Sequence, residues 1–228
     1  MNQFAAILAE DLTMAVPSTI VLLILFFLLA VALGMFWTLV WRETSNRPSV
    51  ALAEWARAAR FRSKPPEDGP PVPLAQIGPR VRMFNWLVGP RCTLAQVAID
   101  RPAEPATAAG VSRPVPPRRW NLLIWPIDQA WPPVALRPAH AANALADVIG
   151  LPPQPNESTH RFTVCSKDQK AARDLTRSSA RGLMPPDVGL VLLGRYLLLD
   201  FSDRPFDGTE FNRMIAVAEQ VVAHLPVR

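Results

Sequence analysis

Residues 19–41 read TIVLLILFFLLAVALGMFWTLVW, 23 positions without a charge. As a helix this run covers about 34 Å, enough to cross a hydrocarbon core about 30 Å thick. Pro17 and Ser18 supply a helix start. Trp37 and Trp41 fall near its end, where indoles favour the membrane interface, and Arg42 follows within reach of headgroups. The pattern therefore predicts a transmembrane helix over 19–41. A cleaved leader is the rival, because Ala30-Val31-Ala32 has the small residues of a cleavage site. Against it, residues 1–16 carry no Lys or Arg, and the apolar run continues past Ala32. A buried soluble helix of this length and purity is rare.

After the run the period changes. Leu52, Trp55, Ala56 and Ala59 share one face at helical spacing, predicting a helix over 49–61. It either lies on anionic lipid through its flanking arginines or packs on its own domain. KPPEDGPPVP, 64–73, reads as a linker. Alternation over 81–87 and 92–100, with Gly89-Pro90 between, predicts a hairpin. Residues 101–117 form a Pro/Ala-rich loop. Residues 118–125, RRWNLLIW, are a third strand that Pro126 ends, and 134–136 a short fourth. Residues 139–149 then make a helix closed by Gly150.

The C-terminal third is the most regular. Residues 160–165 alternate as a strand, and Ser166 or Asp168 caps a helix running to about Ser178. Residues 187–193 and 195–201 are apolar strands split by Gly194, which predicts a tight hairpin, with the second strand central in a sheet. Asp207 caps the last helix, and Glu210 completes a capping-box spacing. Phe211, Met214, Ile215, Ala218, Val222 and Leu225 line one face of it. The expected fold is α+β: one N-terminal transmembrane helix, then a mainly antiparallel sheet with helices packed on one face. Its expected parts are an extracytoplasmic N-terminus 1–18, the span 19–41, a basic juxtamembrane helix and Pro-rich linker 42–79, and an α+β domain 80–226. That domain ends in a β-α-β-β-α unit, 160–225.

The segments EWARAARF, RFTVCSKD and LLGRYLLLDF, placed after such a span, resemble a family of bacterial single-pass membrane proteins of planctomycete type. The resemblance implies architecture and no activity.

Charge sharpens the picture more than composition does. The 25 prolines in 228 residues exclude an interior of long helices. The net charge of +5 is not spread evenly. Residues 1–18 contain no Lys or Arg, whereas 42–64 carry Arg42, Arg47, Arg57, Arg60, Arg62 and Lys64. The positive-inside rule then places the N-terminus outside and the α+β domain in the cytoplasm, on the inner membrane. Residues 120–228 balance at eleven charges of each sign, which speaks against a nucleic-acid footprint on the main domain. Two cysteines exclude a disulfide-dense scaffold and suit a reducing compartment. There the sequon Asn156-Glu157-Ser158 is idle.

Chemistry is sparse. There is no Gly-rich phosphate loop, no G-x-S-x-G and no H-E-x-x-H. His140, His160 and His224 lie in separate elements, and none has a second ligand at metal-binding spacing. Cys165 is the best candidate nucleophile, although His160, five residues away on a strand, falls on the opposite face. Asp200 and Asp203, beside Arg204, form a carboxylate pair that reads mainly as a solvated turn. Arg118 and Arg119 with Trp120 and Trp125 have a basic-aromatic character that core packing explains more simply. The expected interface residues are Trp37, Trp41, Arg42, Arg47, Arg57, Arg60 and Arg62. Expected partners are the bilayer and a protein in the membrane or at its cytoplasmic face, with no nucleic acid, metal or cofactor. The leading reading is a membrane-anchored interaction or scaffolding domain. A tethered enzyme using Cys165, Asp200 and Asp203, or an anionic-lipid module using 47–64, are the rivals.

Overall fold

A computed structural model describes residues 20, 22–36, 50–65, 68–77, 81–99, 118–141 and 144–227. The chain divides into two compact units, Met1–Arg47 and Pro48–Arg228. In the first, residues 22–36 are helical (α1), with every described side chain exposed. Among the described residues no helix is long and apolar enough to cross a membrane. The α1 stretch is 15 residues, against the 23 predicted. Within the predicted span, Thr19, Val21 and residues 37–41 with Trp37 and Trp41 lie outside the described residues, as do Arg42, Arg47 and 101–117.

The second unit begins with α2 (Val50–Ala58), β1 (Arg62–Ser63) and α3 (Val72–Ile77). Then come β2 (Val81–Val88), β3 (Thr93–Ile99) and the long β4 (Arg119–Pro138). It continues through α4 (Leu145–Val148), β5 (Phe162–Ser166), α5 (Gln169–Arg177) and α6 (Ala180–Leu183), and closes with β6 (Gly189–Asp200) and α7 (Gly208–Ala223). Six antiparallel strands pair in the order β1-β2-β3-β4-β5, with β6 on the other edge of β4. The α+β class and the mainly antiparallel sheet agree with the sequence pattern.

Three expectations change. First, Pro126 does not end the third strand. Residues 119–124 pair with β3, 134–138 pair with β5, and β6 accompanies both halves. Proline is tolerated because the ladder shifts register between Pro126 and Trp131, and again between Trp131 and Val134. Pro126, Pro132 and Pro133 thus sit where the hydrogen-bond ladder is interrupted. Second, Gly194 makes no hairpin. The two apolar segments are one strand, β6, which pairs with β4 alone among the described strands and so is not central. Gly194, at φ 57°, stands opposite Trp131 at a bend. An extended strand of that length would hold its ends about 36 Å apart. Instead a Cβ built on Gly189 would lie 3.3 Å from the Cβ of Asp200. The β4–β6 ribbon therefore curls until its ends meet.

Third, helices cover both faces. Leu94, Leu123, Leu190, Leu192, Leu197 and Leu199 form one core with α2, α5, α6 and α7. Ala95, Val97, Leu122, Ile124, Val191 and Leu198 form another with Leu74 of α3 and Leu145 and Ala146 of α4. This explains why LLLDF is apolar at successive positions: each face has its own cover. Among the described residues of 139–149, read as helix, only the single turn α4 is helical, and Gly150 at φ 70° closes it.

Residues read as juxtamembrane helix and linker are built into this unit. β1 pairs with β2, and Leu74 is fully buried. α2 buries Leu52 and Ala56, and Trp55 stacks on Phe61 and meets the edge of Phe211 on α7. Its end is a Schellman motif. The Phe61 N–H donates to the Ala56 carbonyl at 2.7 Å, and the Arg60 N–H to the Arg57 carbonyl at 3.2 Å, with Arg60 at φ 61°.

Candidate functional site

The concave face of the curled sheet brings two of the three predicted site residues under one helix. Asp200 lies opposite Leu122, and Cys165 opposite Ala135; both strand partners belong to the core beneath α4. α4 is held by reciprocal local bonds, in which the Ala144 N–H donates to Asp147 Oδ2 at 2.9 Å. The backbone of the next residue, Leu145, faces the Asp200 carboxylate and favours its charged form. Asp200 also accepts the Ser202 N–H at 3.1 Å and the Ser202 hydroxyl. Burial pushes the Asp200 carboxyl above its ordinary value, against the pull of the Ser202 bonds and of Arg118. One oxygen of the enclosed carboxylate, Oδ1, is thus taken up by Ser202.

Cys165 is buried, and its thiol faces the Thr163 carbonyl at 3.9 Å. Burial raises its pKa, the Asp147 charge raises it further, and Arg137 partly opposes both. Arg137 and Asp147 form an ion pair at 3.2 Å. His160 is exposed and stands outside strand β5. Thiolate chemistry needs a lowered pKa and access, and Cys165 has neither. Asp203 is drawn away from both: it is exposed and paired with Arg118 at 2.9 Å. A wide surface depression of 810 Å³ lies along α5, and an apolar groove of 220 Å³ lies between α2 and β1. None of Cys165, Asp200 and Asp203 lines either. Among the described residues no three His, Cys, Asp or Glu side chains gather to hold a metal ion.

Sequence reasoning passed over the more ordered cluster beside Asp203. Arg204 donates to both oxygens of Asp187, at 2.7 and 2.6 Å, and to Glu210 at 2.5 Å. Those bonds hold the Asp187 carboxyl below its ordinary value and raise the Arg204 guanidinium above its own. Asp207 caps α7 by accepting the Glu210 N–H at 2.9 Å. The Glu210 side chain, expected to return to the cap, binds Arg204 instead. A second chain of amides leads here: Asn85 to Gln96 and Gln96 to Asn121 at 3.0 Å each, then Asn121 to the Arg204 carbonyl at 2.9 Å. FSDRPFDG is thus a clasp rather than a solvated turn. Its one signal in the sequence was a lone arginine among four acidic residues of 200–210.

The remaining candidates separate. Arg57, Arg60 and Arg62 are exposed on and after α2, which packs on its own domain through its apolar stripe. Trp120 is buried under the Arg118 guanidinium, 4.9 Å from its ring, and Arg119 covers Phe84 at 4.5 Å. These aromatics serve the core and do not form a stacking platform. His224 caps the end of α7, with Nδ1 2.8 Å from the Gln220 carbonyl.

No family model and no curated protein matches the chain. Among solved structures, a similar arrangement occurs in the mycobacterial trehalose monomycolate transport factor A, TtfA. The similarity has 12% identity and a TM-score of 0.48, covering 78% of this chain and 96% of that one. At that level it carries no argument about activity.

Proposed function

We propose that this chain is a single-pass membrane-anchored protein whose α+β unit is a cytoplasmic interaction and scaffolding domain. The observation that carries the reading is α1 and its surroundings in sequence. Thirteen large apolar side chains between Ile20 and Phe36 are exposed, from Val31 at 44% to Phe26 at 72%. A helix apolar all round offers water no polar face, and each such side chain gains about 1.5–3 kcal/mol when covered. The uncharged run 19–41 has the length that a bilayer supplies as cover. The basic residues that follow it, with none before it, support a cytoplasmic domain. Among its described residues the domain exposes few large apolar side chains, Val50, Val72 and Val227 among them. Its surface polar network, rather than an apolar patch, is then what a protein partner meets.

Fractionation tests the anchor: full-length protein is expected in membranes after an alkaline carbonate wash and to need detergent for release. Recovery in the soluble fraction, intact and without detergent, overturns it. A C-terminal reporter active only in the cytoplasm is expected, and a periplasmically active one reverses the sidedness. Crosslinking in intact cells is expected to give a reproducible membrane or cytoplasmic partner. A protein that stays solitary argues against scaffolding.

A further inference from the structure

We propose that the outward face of α5, formed by Lys170, Arg173 and Arg177 together with Lys167 just before the helix, docks on an anionic lipid surface; the inference rests on the anchoring read above. α5 is amphipathic with a fixed orientation. Ala171, Ala172 and Leu175 are completely buried against the sheet, which leaves the four cations exposed. They border one wide, open depression of 810 Å³. Its other lining residues are Asp168, Gln169 and Asp174, so two positive charges are in excess. The Asp168 carboxylate is engaged in capping the helix, accepting the Ala171 N–H at 3.1 Å. Arg173 lies 3.8 Å from Glu157, a distance that leaves its guanidinium available to a closer phosphate.

The composition of this face selects among anionic partners. It contains no apolar or aromatic lining residue. A peptide partner would find no pocket for an anchoring side chain, and a single-stranded nucleic acid no ring on which to stack a base. A broad basic surface without an apolar centre fits a plane of headgroups. Such contacts are worth about fivefold in affinity per cation near the surface, which is weak for a free protein. They become effective when a second element already holds the chain at the bilayer, as two-signal anchoring requires. α2 and α5 border the same core on the same sheet face. The exposed Arg57, Arg60 and Arg62 at the α2 end therefore give that helical layer a second basic edge.

The test uses the full chain in nanodiscs of phosphatidylcholine alone, or of phosphatidylcholine with phosphatidylglycerol. A nitroxide at Gln169→Cys reports access to a water-soluble relaxation agent, since Cys92 and Cys165 are buried. Access is expected to fall about fivefold or more in the anionic discs, to recover in high salt, and to stay high in Lys170→Glu/Arg173→Glu. Both substitutions are at exposed positions, so the fold is retained. Equal access in the two kinds of disc overturns the proposal while leaving the anchor intact. Protection by a duplex oligonucleotide but not by anionic discs overturns it in favour of nucleic acid. A chain that does not enter either disc refutes the anchor, and this inference with it.

Discussion

Arg60 occupies a left-handed conformation that ordinary side chains avoid, at φ 61°. It does so because the Schellman turn ending α2 requires that geometry, and the stacking of Trp55 on Phe61 holds the turn closed. The conformation costs a non-glycine residue about 1 kcal/mol. Arg60→Gly is therefore expected to raise stability by up to about 1 kcal/mol, read from the urea midpoint, the gain being reduced by the extra freedom of the unfolded chain. Two carboxylates make opposite predictions about pH. Asp187, lowered below its ordinary 3.8 by Arg204, contributes stability that is present above 3.8 and lost as pH falls through its folded value. Asp200, raised above 3.8 by burial, contributes stability that is full below 3.8 and lost as pH rises through its folded value. Urea midpoints across pH are expected to separate them. Asp187→Asn removes part of the acid-side loss, and Asp200→Asn removes part of the gain that precedes it on acidification. The reverse assignment would refute these environments.

Among the elements, α2 packs closely on the start of α7. A Cβ on Gly208 would fall 2.4 Å from the Trp55 ring, and one on Gly89 would fall 2.5 Å from the Phe61 ring. α2 and the Phe61 that follows its closing turn are thus seated over two glycines. Gly208→Ala is expected to destabilise by about 1–3 kcal/mol and to speed hydrogen exchange in residues 50–58 more than in β4. Unchanged exchange in α2 would show that the helix does not depend on this seat. The start of α7 depends on Arg204, whose side chain is 11% exposed and bridges Asp187 and Glu210. Arg204→Met is expected to cost about 2–3 kcal/mol, because it leaves the nearly buried Glu210 with only the exposed Arg213, 3.9 Å away, as a cation partner. Arg204→Lys should recover only part, as an ammonium cannot bind both Asp187 oxygens and Glu210 at once.

At the scale of the whole molecule, the curl of the sheet encloses Cys165 and Asp200, two of the three groups that looked reactive, and leaves Asp203 exposed. Burial pushes the Cys92 thiol up to about 12, and Cys165 is raised as well. Neither is expected to react with iodoacetamide at mildly alkaline pH until denaturant is added, when both should react; mass spectrometry counts the adducts. Rapid native labelling of Cys165 would reopen the enzymatic reading. What the linear pattern determined was local. The Asp207 cap, a cap for α5 at Ser166 or Asp168, the α7 stripe, the β2–β3 hairpin and the uncharged run near the N-terminus were all legible. Each depends on neighbours within a few residues, through helical spacing, alternation or a side chain reaching its own backbone. The tertiary structure alone decided that β4 passes through Pro126, that β6 is one bent strand, and that helices cover both faces. It also decided that Asp200 lies buried against Gly189 and Arg204 joins Asp187 to α7. A proline ends a strand only where a partner needs its N–H, and a carboxylate is a surface group only until a distant segment covers it. Both conditions are set by strand pairings between residues far apart in the chain, which no local periodicity records.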